Sequence, residues 1–356
     1  MSRPILRIPL FVLGPRVFTY AEAADQKPWS LVNQQIEPLW ADTKGRGITV
    51  AVIDTGLWKH KDLPDPAFAV NYSRSGSVYD ANGHGTHVAG TIGARLDGVG
   101  VVGYAPECNI GCVKALGDDG SGTSLAIERG IHYAAEMGAD IINMSLGGAF
   151  DQGIANACLE VIQQGIFVIC AAGNEGTHGV GYPGALKETL AIASYNKDGK
   201  ISSFSSRGPE VDVAFPGEDI LSTWPNDAFR RISGTSMATP AACGLTALML
   251  AYHRDHPQVS PIKTNNQLRA HWQAHAKDAG DPGKDNAFGW GIPDAAGVVR
   301  GNPAGPADPD KPDEPEKPEK PGDGGDCSLV PLFNFGGVHV ARAHLQGESG
   351  LFFFID

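Results

Sequence analysis

Four apolar runs constrain what this chain can become. Residues 48–53, 110–116, 140–146 and 166–172 are each strand-length and rich in Ile and Val. The first reads Ile-Thr-Val-Ala-Val-Ile, the pattern of a strand buried on both faces. Between later runs the apolar spacing turns helical, over 125–137 and 154–164. Strands alternating with helices predict an α/β fold, a three-layer sandwich with a mostly parallel central sheet and helices on both faces. Two shorter strands (190–194 and 211–214), a long helix from Ser236 and a further helix between Asn266 and Lys277 complete the expectation.

Composition removes several functions. No stretch of eighteen apolar residues occurs, so no membrane span is expected. A net charge of -12 argues against a nucleic-acid partner. The six cysteines (Cys108, Cys112, Cys158, Cys170, Cys243 and Cys327) read as small buried hydrophobes, since Cys108 and Cys112 lack a second ligand pair at zinc spacing. A reducing compartment fits this usage. Residues 1–14 are apolar and Ala21-Glu22-Ala23 could pass for a cleavage site, but Pro4, Arg7 and Pro9 interrupt the hydrophobic region. The expectation is a cytoplasmic protein; the alternative is secretion, with residues 1–23 as a signal peptide.

Beyond Gly301 the composition changes. Prolines recur at every third position from Pro303 to Pro321, the repeat of polyproline II, which at ~3.1 Å per residue spans roughly 60 Å. Residues 301–326 carry eight acids against three lysines and read as a linker. Residues 327–356 are apolar again and suggest a small β-rich segment. It is too short to fold alone, so it should dock onto the preceding α/β domain or onto a second copy in a homodimer.

The chemistry sits where these elements begin and end. Asp54 closes the first strand, at the end where open α/β sheets place their sites. His84 stands among glycines in Asn82-Gly83-His84-Gly85-Thr86-His87, which invites close approach by backbone or ligand. His87, three residues on, could pair with it on a metal, but no third ligand stands nearby, and it reads as an interior histidine. Ser236 lies in Ser233-Gly234-Thr235-Ser236-Met237-Ala238-Thr239-Pro240, a turn feeding the first turn of a buried helix, where proline is tolerated. Alone it would be a capping serine. With its neighbours the set makes sense: Ser236 as nucleophile, His84 as base, Asp54 as orienting carboxylate and Asn174 as oxyanion donor.

At these residues the chain resembles the subtilisin-like serine proteases. The carriers are 50–56 ending Asp54-Thr55-Gly56, 84–90, Ala171-Ala172-Gly173-Asn174-Glu175-Gly176 and Gly234-Thr235-Ser236-Met237-Ala238-Thr239-Pro240, and the likeness covers about residues 26–299. Ala241 departs from the family's usual histidine at a non-catalytic position. The resemblance implies a serine endopeptidase acting on protein or peptide substrates, with Asp54, His84 and Ser236 catalytic and Asn174 in the oxyanion site. It implies an extended substrate bound along Gly120, Ser121 and Gly122. The primary pocket would be walled by Ser145, Leu146 and Gly147 and by Ala171, Ala172 and Gly173. These walls carry no charge, so apolar or aromatic side chains are expected before the scissile bond.

The resemblance also implies a structural Ca2+ held by oxygens of Gln26, Asp62, Arg95, Asp97, Val99 and Val101. Within the family the pattern is nearest to the bacterial intracellular subtilisins. Their short inhibitory N-terminal extension is loosely matched by Arg7-Ile8-Pro9-Leu10-Phe11, which makes residues 1–25 a candidate inhibitor.

Overall fold

The computed structural model describes residues 25–301 and the backbone of 352–353. The N-terminal extension, the proline-rich linker and most of the C-terminal segment therefore lie outside the described residues. Within 25–301, strand alternation fixes the layers. In Thr49–Asp54 (β1), Val50 and Val52 enter one core, while Ala51 and Ile53 enter the other. Phe68–Asn71 (β2) follows, then the helix His84–Gly93 (α2, after a short opening helix α1 at Trp29–Asn33) and the strand Asn109–Lys114 (β3). A two-residue strand, Gly122–Thr123 (β4), leads into Ser124–Glu136 (α3). Ile141–Met144 (β5), Gln152–Gln163 (α4), Phe167–Ala171 (β6), Leu190–Tyr195 (β7) and Val211–Pro216 (β8) complete the central layers.

The sheet runs β2-β3-β1-β5-β6-β7-β8, with every neighbouring pair parallel. The chain starts in the middle at β1, jumps to the edge at β2, returns to fill the gap with β3, then crosses to β5 and builds outward the other way. The strand order thus reverses between β1, which ends on Asp54, and β5, which is followed at once by Ser145. Such a switch point opens a crevice above the sheet.

An antiparallel hairpin, Ile220–Trp224 (β9) and Ala228–Ile232 (β10), follows and packs on α2. The long helix Thr235–Asp255 (α5) is buried along most of its length and joins α2 on one face of the sheet. Helices α3 and α4 cover the other face, capped by Thr123 and Asp151, whose side chains accept from Ala126 N and Ile154 N. Asn265–His275 (α6), the short pair Ala276–Lys277 (β11) and Ile292–Pro293 (β12), and Ala295–Arg300 (α7) close this unit. Phe352–Phe353 (β13) pairs antiparallel with β4.

The fold class is the expected one, and the details differ in instructive places. β2, the hairpin, α1 and α7 had no sequence counterpart. The strand expected over 110–116 ends at Lys114. Pro240 was expected in the first turn of its helix; α5 begins at Thr235, so Pro240 lies in the second turn. Its missing N–H frees the carbonyl of Ser236, and the Ser145 hydroxyl donates to that carbonyl instead (2.9 Å). The five described cysteines are free and buried.

The start of α2 depends on one carboxylate. Gly83 at the N-cap has no side chain to offer, and Asp80, fully buried, does the capping. It accepts from Gly83 N (2.8 Å), Thr86 N (2.8 Å), the Thr86 hydroxyl (2.6 Å) and the Thr55 hydroxyl (2.9 Å). Asp80→Ala strands these buried donors together, so a loss on the order of 3 kcal/mol is expected. Urea unfolding checks it: a midpoint shift worth under about 0.5 kcal/mol would show that α2 is capped by other means.

Candidate active site

Two of the expected residues are joined directly. Asp54 sits at the end of β1 with no exposed surface, and His84 is the first residue of α2. His84 Nδ1 lies 2.8 Å and 3.0 Å from the two carboxylate oxygens of Asp54. An anion facing Nδ1 selects the tautomer with its proton there, leaving Nε2 as an acceptor. Asp54 is further held by Thr55 N (2.7 Å). Gly85 permits this approach, because a Cβ there would sit 2.3 Å from the Gly56 carbonyl and 3.1 Å from Asp54 Oδ1. Burial disfavours the His84 cation, but the charge and hydrogen bond of Asp54, with the charge of Asp80 behind, outweigh it and raise the pKa of His84 above the ordinary value.

Ser236 is the second residue of α5, which packs against α2. Its hydroxyl donates to the Ser145 carbonyl (3.2 Å), while His84 Nε2 has no partner among the described residues. The serine is thus parked on the wall of the crevice, and the acceptor nitrogen is free. Asn174 follows β6, and its side-chain oxygen accepts from Thr235 N (2.9 Å) and the Thr235 hydroxyl (3.0 Å). Those bonds consume the oxygen and leave the Asn174 N–H groups to donate elsewhere. A Cβ on Gly234 would lie 3.5 Å from Asn174 Nδ2 and 3.6 Å from Ser236 N. Two donors therefore converge beside Gly234, one of them an orphan N–H at a helix start.

The expected pocket walls also meet. Gly148 N donates to the Tyr182 carbonyl (2.9 Å) and Tyr182 N returns to Gly148 (3.1 Å), so Ser145, Leu146 and Gly147 are tied to the 181–182 segment. Gly181 N donates to the Ala172 carbonyl (2.9 Å), which ties the same segment to Ala171, Ala172 and Gly173. Gly120, Ser121 and Gly122 form a separate rim, folded over Leu116 and braced by Ser121 on Asp119 (2.8 Å).

The six expected metal ligands gather in one loop region. Gln26 bridges to Val101, Arg95 N donates to the Asp62 carbonyl (3.0 Å), and Asp97 accepts from Val99 N (3.1 Å). Asp62 Oδ2 accepts from Val101 N (2.8 Å), whereas its buried Oδ1 has no partner among the described residues. Asp25, absent from the sequence expectation, joins them: carboxylate oxygens of Asp25, Asp62 and Asp97 lie within 4.8 Å of one another. Burial is the main force raising the pKa of Asp62 to about 6. The Val101 N–H opposes it, and the charges of Asp97 and Asp25 add to it.

Several residues escaped the sequence. Lys114, fully buried, donates to the Thr55 and Tyr79 carbonyls and to Asp118 (2.8 Å). A lysine in an apolar strand was the available signal. Asp80 gave none; Thr55 and Thr235 lie inside the quoted motifs but by type read as ordinary loop or cap residues. His87 is interior, as expected: its Nε2 donates to the Ile220 (2.9 Å) and Arg230 (3.1 Å) carbonyls, and burial above all lowers its pKa to about 3.

Similarity to known proteins follows the same residues. The model of the subtilase family matches residues 45–291. The minor extracellular protease Epr of Bacillus subtilis is 39% identical over 299 residues, covering 80% of this chain but only 45% of that protein. The intracellular serine protease of Paenibacillus polymyxa is 41% identical over 264 residues, or 70% of this chain and 79% of the relative. Subtilisin Savinase of Lederbergia lenta is 33% identical over 279 residues, covering 78% of this chain and 100% of the relative. A match of this extent, over a parallel sheet with Asp54, His84 and Ser236 at its switch point, makes the chain a member of the subtilase family.

Proposed function

We propose that this chain is a serine endopeptidase working through Asp54, His84 and Ser236. The observation that carries the reading is the buried Asp54–His84 pair with its free Nε2, together with a serine at the start of the neighbouring helix. The Ser236 hydroxyl leaves the Ser145 carbonyl, turns to His84 Nε2 and gives up its proton as Oγ attacks the scissile carbonyl. Asp54 stabilises the imidazolium that forms. The oxyanion is taken by Asn174 Nδ2 and Ser236 N, and Thr235 keeps the Asn174 amide correctly turned. His84 then protonates the leaving amine, and water releases the acyl group by the reverse path.

The substrate is an extended peptide paired with the Gly120–Ser121–Gly122 rim and with 145–147. The uncharged walls favour an apolar or aromatic side chain before the cleaved bond. Relatives named intracellular favour a cytoplasmic enzyme, while the one named extracellular suits the secreted alternative.

A fluorophosphonate probe and a chromogenic peptide test the mechanism. Ser236→Ala should lose both adduct and turnover with its fold retained. Asn174→Ala should lower kcat by roughly 10²–10³, a magnitude taken from subtilisin itself and so borrowed from a relative. Because His84 must be neutral to accept the proton and its pKa is raised, kcat/KM should climb with pH through a midpoint above 6.5. Full turnover by Ser236→Ala would sink the reading.

The cluster of Asp25, Asp62 and Asp97 fits a hard cation: its donors are all oxygen, and Asp62 keeps one buried oxygen, Oδ1, with no hydrogen-bond partner among the described residues. Bound Ca2+ would supply positive charge to carboxylates that otherwise repel. Gln26, Arg95, Val99 and Val101 would complete the oxygen set. Without a cation, the raised pKa of Asp62 means that stability falls as pH rises from about 4 to 6, since the folded state holds the proton more tightly. A cation reverses that penalty. The Ca2+-induced rise in Tm should therefore be full above pH 6, shrink below it and vanish in Asp62→Asn. Equal melting with chelator and with Ca2+ at pH 8 would remove the site.

A further inference from the structure

The strand β4 has two neighbours. On one side Leu116 bridges back to Gly122. On the other, Phe352 pairs with Thr123 and Phe353 with Gly122, antiparallel. Gly122 belongs to the rim that the peptidase reading gives to substrate. We propose that the segment around Phe352–Phe353 is an internal competitor, an extended strand of this chain's own tail that occupies the substrate edge of β4. The proposal rests on that reading of the rim.

Three physical points carry it. An edge strand presents unpaired N–H and C=O groups, and an added antiparallel strand satisfies them without regard to side chains. The added segment is also chemically what the groove should accept: Leu351-Phe352-Phe353-Phe354-Ile355 is continuous, apolar and rich in strand formers. Finally, the segment is tethered and can reach. Residues 302–351 separate it from α7, and the prolines from 303 to 321 alone would span roughly 60 Å as polyproline II. A unit the size of 25–301 has a radius of gyration of about 19 Å, so the tail can reach its own rim from any exit point.

Tethering sets the size of the effect. A flexible tether gives a local concentration of ~1 mM. Short peptides bind such grooves with constants on the order of 0.1 mM, within the usual span of KM values. A competitor at ten times its dissociation constant raises apparent KM about tenfold and leaves kcat alone. Because the competitor is in cis, dilution does not relieve it.

The test uses the full chain, as wild type and as the double variant Phe352→Gly/Phe353→Pro, which removes an N–H and both aromatic side chains. Initial rates on a chromogenic tetrapeptide should show KM about tenfold lower in the variant, with kcat unchanged. A synthetic peptide spanning 350–356 should restore the higher KM competitively. Amide exchange at 120–124 reads occupancy without needing turnover: protection in the wild type should be lost in the variant. Equal exchange and equal KM overturn the proposal. So does a wild-type KM that falls on dilution, which would assign the strand to a second copy. Changed exchange with no turnover and no fluorophosphonate adduct in either protein leaves the docking standing and overturns the peptidase reading instead.

Discussion

The hydrogen bonds gathered by the Asp80 carboxylate hold together the parts of the site that come from different elements. Asp80 lies in the loop before α2, and through the Thr55 hydroxyl it reaches the end of β1. The same hydroxyl accepts from Gly85 N (2.9 Å), inside α2. Strand and helix are thereby locked with Asp54 facing His84. From the opposite side Lys114 grips the Thr55 and Tyr79 carbonyls, so the loop flanking Asp80 is held by a cation. Two buried carboxylates so near each other would be costly in an apolar setting. Here Asp80 faces both N–H and O–H donors and Asp54 faces N–H donors, so neither carboxylate is left without partners.

A second coupling runs beneath the serine. Pro240 cannot close the helical bond to Ser236, and the free carbonyl becomes an anchor for Ser145. Ser145 in turn receives Asn143 Nδ2 (3.0 Å), and Asn143 Oδ1 accepts from Cys243 (3.4 Å) one helical stretch further along α5. The backbone of the nucleophile and one wall of the pocket are thus fastened to each other through groups that never meet solvent. A proline that breaks the helical ladder also fixes the geometry of the residue four positions before it.

Much of this was legible in the chain. Uninterrupted β-branched runs announce buried parallel strands, and glycine flanking marks the place where backbones meet at Gly85. Asp54, His84, Asn174 and Ser236 could be named because each sits at an element boundary inside a recognisable motif. The missing parts share a physical cause. β2, with one half-exposed end, and the hairpin, whose second strand is largely exposed, lack a strong apolar period, so their pairing is decided by tertiary contact. Asp80 reaches Thr55 and Thr235 reaches Asn174 across long stretches of sequence, links that no local pattern encodes. Asp25 joins Asp62 and Asp97 only because the chain entering the fold runs beside Val101.

The cysteines carry a consequence of a different kind. Cys108 and Cys112 lie at β3, Cys158 in α4, Cys170 in β6 and Cys243 in α5, so both helical layers and the sheet between them hold a sulfhydryl. Burial pushes the thiols of Cys108, Cys112 and Cys158 up to about 12, and those of Cys170 and Cys243 further still. A thiol reagent can reach them only when the surrounding structure opens. The chain is therefore fitted with natural reporters of its own breathing, and alkylation rates read site by site would chart which layer loosens first.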